Sequence, residues 1–320
     1  MHPLIARIHP AFRTALLAWL LSRSALWLIA PVRPGELGTG TPLPGLLTSL
    51  IEELTGAVTS APASLALELS PWIILEASLL VAGIAVYRFA RTTDLPQVAE
   101  RACWLWFFNP LLAMYAFDWG TQMAAAAGTL AVAGVVTHRP RVAAVAAVAA
   151  VGCRLEFILL WPAIAVATWG QRRSEGDSMT PLALGTLVVP AAFSAWIAAS
   201  WHLAGATHTS LRAIHGDALW RDSTTLLPSF PEEVLLLLGL AAAIVLVFRY
   251  LKRFPRWYAL CALPALAWPL VQVPASFAAV TVTWALPIYV YLAIVCDDRA
   301  VGRAVMTGLV LAFVFAALQA

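Results

Sequence analysis

In the stretch NPLLAMYAFDWGTQMAAAAGTL, residues 109–130, one carboxylate sits between two apolar runs: Asp118, the sole acid between Glu100 and Glu156. A carboxylate there has two compatible uses, as a cap on the helix that begins near Gln122 or as a general base that takes a proton from a hydroxyl. Arg154 and Glu156 form a second pair, inside the apolar segment 142–169. Ionisable groups in such segments are costly and face a cavity, a partner or a pathway. Arg154 has the planar fork that suits a phosphate; a structural ion pair or a snorkelling arginine is the alternative. Two residues apart on a regular helix, Arg154 and Glu156 point to different faces, so their pairing requires a break. A third group lies in THTSLRAIHGDALWRDSTTLLPSFPEE, 207–233, where His208, Arg212, His215, Asp217, Trp220, Arg221 and Asp222 concentrate. That mixture suits a sugar or a phosphate. His215, Asp217 and Asp222 offer ligands to a divalent cation, with spacing that specifies little, and a solvated loop is the simpler reading.

The surroundings of these residues decide what they can do. The chain has 320 residues, 61% hydrophobic and only 12% charged, far from the balance of soluble domains. Composition therefore predicts an all-α, polytopic transmembrane bundle forming a single domain over 1–320, with the lipid bilayer as its solvent. A net charge of +3 gives no reason to expect a nucleic-acid partner. The four cysteines, Cys103, Cys153, Cys261 and Cys296, have neither zinc-site spacing nor loop positions, and read as buried thiols. The basic N-terminal stretch and its apolar run read as a retained first span.

A span needs about 20 apolar residues. Suitable runs lie near 12–30, 70–90, 181–203, 233–250, 277–295 and 301–319, with shorter ones near 102–117, 122–136 and 257–272. Treating 142–169 as a hairpin with the N-terminus cytoplasmic puts Arg88, Arg91, Arg139, Arg141, Arg172, Arg173, the 249–256 cluster, Arg299 and Arg303 inside. Only Arg33, Arg212 and Arg221 then fall outside, as the positive-inside rule expects. The result is about ten membrane segments, with outer loops 31–69 and 204–232 and Asp118 in a short outer turn. Arg23 and Glu76, within the first two spans, read as buried packing groups. The alanine–valine runs 124–133 and 142–151 are small-residue faces for close helix packing. Tryptophans such as Trp104, Trp106, Trp161 and Trp169 read as interfacial anchors. A single lysine, Lys252, among many arginines and alanines suggests a bacterial inner membrane.

Asn109-Pro110 opening an apolar run, then Asp118, Gly120 and Gln122, a small-residue span, the basic turn HRPR at 138–141, and Arg154 with Pro162 resemble the GT-C membrane glycosyltransferases. The nearest echoes are lipid-linked glucosyl- and mannosyltransferases, including those of GPI-anchor assembly. TVTWALPIYVYLAIV, 281–295, is a second and shorter echo, with Thr283-Trp284 where the family often has arginine-tyrosine. The resemblance implies transfer of a sugar from a polyprenyl-phosphate donor to an acceptor at the outer face. It makes Asp118 and Glu36 the catalytic candidates. Arg154, Glu156, Gln122, Arg212, His215, Asp217, Arg221 and Asp222 become the substrate-binding candidates, with a divalent cation as an optional cofactor. The family's first outer loop carries an essential aspartate followed by aromatics; 31–69 has neither, and Glu36 is the positional stand-in. Two rival readings follow: a non-catalytic relative that binds a lipid carrier or a membrane protein partner, and a transporter or flippase.

Overall fold

The computed structural model describes residues 9–29, 47, 53, 61–93, 95–116, 118–166, 169, 187–204, 245, 279, 282–284 and 286–319. These residues are helical almost throughout, with no strand among them. The helices are α1 (Pro10–Ile29), α2 (Ala61–Ala90), α3 (Pro96–Phe107), α4 (Pro110–Met114), α5 (Trp119–Val136), α6 (Pro140–Cys153), α7 (Val189–Ala204), α8 (Leu286–Val295) and α9 (Arg299–Gln319). Four described helices are long and apolar enough to cross a membrane: α1, α5, Pro71–Ala90 of α2, and Arg299–Leu318 of α9.

Helix α5 is the centre of the bundle, 83% buried against 22–50% for the other three. It packs between α2 and α6, while α1 and α3 lie against α2, α7 against α6, α8 against α3 and α9 against α4. In lipid the apolar surface itself gives helices little reason to associate, so close van der Waals packing of small residues carries much of the stability. The α5–α6 contact is of this kind. Ala124, Ala125, Ala131 and Ala133 of α5 and Ala143, Ala147 and Ala150 of α6 are buried, and a Cβ at Gly134 would sit 3.1 Å from the backbone nitrogen of Ala143. The small-residue reading of 124–133 and 142–151 matches this contact.

Three boundaries differ from the sequence expectation, and a fourth, the break within 142–169, agrees with it. The second helix starts at Ala61, so the final part of the expected 31–69 loop is helical and Pro71 lies inside the helix; leucine- and alanine-rich ASLALEL has the propensity to extend it. The expected span 102–117 is two helices. Asn109 is extended, with φ −65° and ψ 123°, and its side chain accepts from the Leu111 amide, making it the N-cap of α4; a residue preceding proline is disfavoured in the α conformation. Helix α5 starts at Trp119, not near Gln122. The segment 142–169 does break, and it does so at Arg154, which is extended at φ −149°, ψ 119° between α6 and the 3-10 turn Leu155–Leu160. Trp106 also departs from its interfacial reading: it is wholly buried, packed edge-on against Phe107, whereas Trp161 and Trp169 are exposed. Cys103, Cys153 and Cys296 are buried free thiols, and Cys261 lies outside the described residues.

Charged residues gather at one end of the bundle. Arg13 faces Glu100 at 3.9 Å and Arg101 pairs with Asp297 at 2.9 Å, tying the start of α1 and the end of α8 to the start of α3. The α5–α6 turn at His138–Arg139 closes the same end. There the Arg139 and His138 amides donate back to the carbonyls of Gly134 and Val135, a Schellman cap with His138 at φ 55° in the position that favours glycine.

Candidate functional site: two ion pairs on one helix end

Several polar side chains inside the bundle meet at the first turn of α5. Asp118 is its N-cap: Oδ1 accepts from the Thr121 amide at 3.0 Å and Oδ2 from the Thr121 hydroxyl. The same Oδ2 accepts from Arg154 Nη2 at 3.1 Å. Arg154 also donates from Nε and Nη2 to Thr121 Oγ1, at 3.1 and 2.6 Å. Because Arg154 is the extended residue where α6 stops, its side chain is free of helical constraint and reaches across to α5. Its side chain is 12% exposed and that of Asp118 32%, so the pair sits at the rim of the bundle, open on the carboxylate side.

One residue further along, Gln122 belongs to a second, deeper group. Glu76 Oε2 accepts from Trp19 Nε1 at 2.7 Å and from Arg23 Nε at 3.0 Å. Arg23 Nη2 donates to Gln122 Oε1 at 3.2 Å, and Gln122 Nε2 donates to the carbonyls of Leu112 and Tyr115. Arg23, Glu76 and Gln122 each lie about 20 Å from the charged end, counted at 1.5 Å per residue from Pro10, Ala90 and Val136. Their level alignment is what lets three helices meet in one polar layer. A cavity of about 10 Å³, bordered by Ser22, Arg23, Leu112 and Gln122, adjoins it and has room for one water.

The two groups share α5 and the turn before it. Gln122 holds the Leu112 and Tyr115 carbonyls, and the Asp118 amide donates to the Tyr115 carbonyl at 3.1 Å, so the deep layer anchors the turn that presents Asp118. The two sequence echoes also touch: Asn109 Nδ2 donates to the Tyr289 hydroxyl in the core.

Of the residues singled out from sequence, the structure brings together Asp118, Arg154 and, one layer deeper, Gln122. Gln122 is fully buried, and its amide oxygen and nitrogen both bond to protein groups. The side chain of Glu156, together with Glu36, Arg212, His215, Asp217, Arg221 and Asp222, lies outside what is described. Among the described residues, no group of three or more His, Cys, Asp or Glu side chains is placed to hold a metal ion. Sequence reasoning missed Thr121, which bridges both partners of the outer pair, and the pairing of Arg23 with Glu76. The available signal was that each of those two charges is isolated in an apolar span and needs a partner of opposite sign. Compared with known proteins, the chain matches no family model, no curated protein and no solved structure.

Proposed function

We propose that the protein is a membrane glycosyltransferase that moves a sugar from a polyprenyl-phosphate donor to a hydroxyl acceptor at the extracytoplasmic face, with the charged end of the bundle cytoplasmic. The observation that carries this reading is the Asp118–Thr121–Arg154 cluster. It places a carboxylate and a guanidinium side by side, at the opposite end of α5 from the basic turn His138–Arg139.

The chemistry follows from exchange of partners. A donor phosphate takes the Arg154 fork, which prefers the bidentate anion, and Asp118 Oδ2 loses its cation. The freed carboxylate oxygen takes the proton of the acceptor hydroxyl as the hydroxyl oxygen bonds to the anomeric carbon. The carbon–phosphate oxygen bond breaks, the configuration inverts, and polyprenyl phosphate leaves on Arg154. Glu36 is the second candidate for the proton. The bundle of about ten segments, the bacterial inner membrane and a divalent cation assisting the phosphate belong to the same proposal.

A second reading, a non-catalytic protein that holds a lipid carrier, is favoured by one observation: both Asp118 oxygens are already engaged by Thr121 and Arg154. Purified protein in liposomes with labelled polyprenyl-phosphate hexose separates the two. Release of polyprenyl phosphate with label passing to acceptor, abolished in Asp118→Asn, supports transfer. Full activity in an Asp118→Asn, Glu36→Gln double variant sinks it; saturable donor binding without turnover selects the carrier.

A further inference from the structure

Helices α2, α5 and α6 leave a groove on the side of the bundle. Its walls are Ile74, Ala77, Ser78 and Val81 of α2 and Val142, Val145, Ala146 and Ala149 of α6, with Met123, Ala126, Ala127 and Leu130 of α5 as the floor and Arg141 at the charged end. About 680 Å³ of free space lies between them. Apolar side chains at its edge face outward: Val145 is 71% exposed, Val81 45% and Val142 40%. The lining offers nothing polar in need of a partner along its length, since the Ser78 hydroxyl donates to the Ile74 carbonyl of its own helix at 2.7 Å.

We propose that this groove binds an anionic phospholipid, one acyl chain lying between α2 and α6 and the phosphate resting on Arg141. Three features select that occupant. Each wall runs eight residues; counted from the charged end at 1.5 Å per residue, the α6 wall covers about 3–14 Å and the α2 wall about 14–24 Å, together more than one leaflet of a hydrocarbon core about 30 Å thick. A chain entering from the charged end therefore finds apolar cover over most of its depth. Charge sits only at the mouth: Arg141 is exposed and has no ion-pair partner among the described residues, and the neighbouring Arg139 is exposed too. Basic groups between helices at a membrane surface attract anionic headgroups, and a guanidinium pairs well with a phosphate oxygen pair. The site is separate from the Asp118–Arg154 cluster, which lies beyond the other end of the groove.

The test is native mass spectrometry of the full-length protein in mild detergent, titrated with phosphatidylglycerol or phosphatidylcholine of identical acyl chains. The wild type retains phosphatidylglycerol about fivefold better, the effect of one arginine at a membrane surface. Arg141→Ala brings the two lipids to parity. Val145→Trp, at an exposed position that leaves the core intact, fills the groove and lowers retention of both. Equal retention by the wild type, or a phosphatidylglycerol preference unchanged in Arg141→Ala, overturns the proposal. So does quantitative disulfide linkage of Val145→Cys to a second copy in membranes, which would give the groove to protein.

Discussion

Neutralising Glu76 alone leaves Arg23 charged and without a counter-charge about two-thirds of the way across the bundle. Glu76→Gln keeps the shape and an acceptor for Trp19 and Arg23, so it removes little besides charge. Both side chains are about one-seventh exposed, 13% for Arg23 and 15% for Glu76, which puts the pair among buried ones, where loss of a partner costs about 3–5 kcal/mol. That is a large share of a total stability of about 5–15 kcal/mol. Arg23→Met alone leaves Glu76 with the Trp19 indole as its remaining donor and has a similar cost. With both changes together no unpaired charge remains. The residual cost is the Gln122 oxygen deprived of its donor, about 1–3 kcal/mol. The double variant is therefore no worse than either single one, and the coupling energy is about 3 kcal/mol or more. The assay is reversible unfolding by sodium dodecyl sulfate titration from dodecyl maltoside micelles, followed by far-ultraviolet circular dichroism. Single changes that add to within about 0.5 kcal/mol, as independent sites do, would refute the pairing.

Asp118 acts both as N-cap and as ion-pair partner, and two substitutions separate these roles in the same unfolding assay. Asp118→Asn keeps a good cap and loses the charge; Asp118→Ala loses both and is less stable than the asparagine variant by about 1 kcal/mol. His138→Gly relieves a left-handed backbone position, which costs a non-glycine residue about 1–2 kcal/mol, and raises stability by about 1 kcal/mol. No gain at all would mean that the His138 side chain contributes more than the cap geometry indicates. At Gly128 a Cβ would meet Phe157 at 2.3 Å and the Thr283 hydroxyl at 2.6 Å, so Gly128→Ala costs about 1–3 kcal/mol of overpacking. Gly308, with nothing within 4 Å of such a Cβ, tolerates alanine and serves as the control.

Composition and local chemistry made the helical, membrane-spanning character legible, and the reason is physical: in lipid every backbone group must be satisfied within its own segment, so long apolar runs can only be helices. The cap at Asp118 and the Ala/Val faces were readable because capping and close packing depend on neighbours within a few residues or on residue size alone; the cap at Asn109, inside an expected single span, was not. The break at Arg154 was readable as well, since two opposite charges in one apolar run ask for a departure from regular helix. Their partners were not. Arg154 reaches Asp118 across 36 positions, Arg23 reaches Glu76 across 53 and Gln122 across 99. Nothing in local propensity ranks one distant opposite charge above another. What the sequence by itself determined is that each of these charges must find a partner, because the bilayer offers none. Which partner Arg23 found was decided only when three helices packed at a common depth of about 20 Å from the charged end, and the Asp118–Arg154 pair only when the end of α6 met the start of α5. The tertiary structure thereby set Thr121 between Asp118 and Arg154, and made Gln122 the link between the deep layer and the rim.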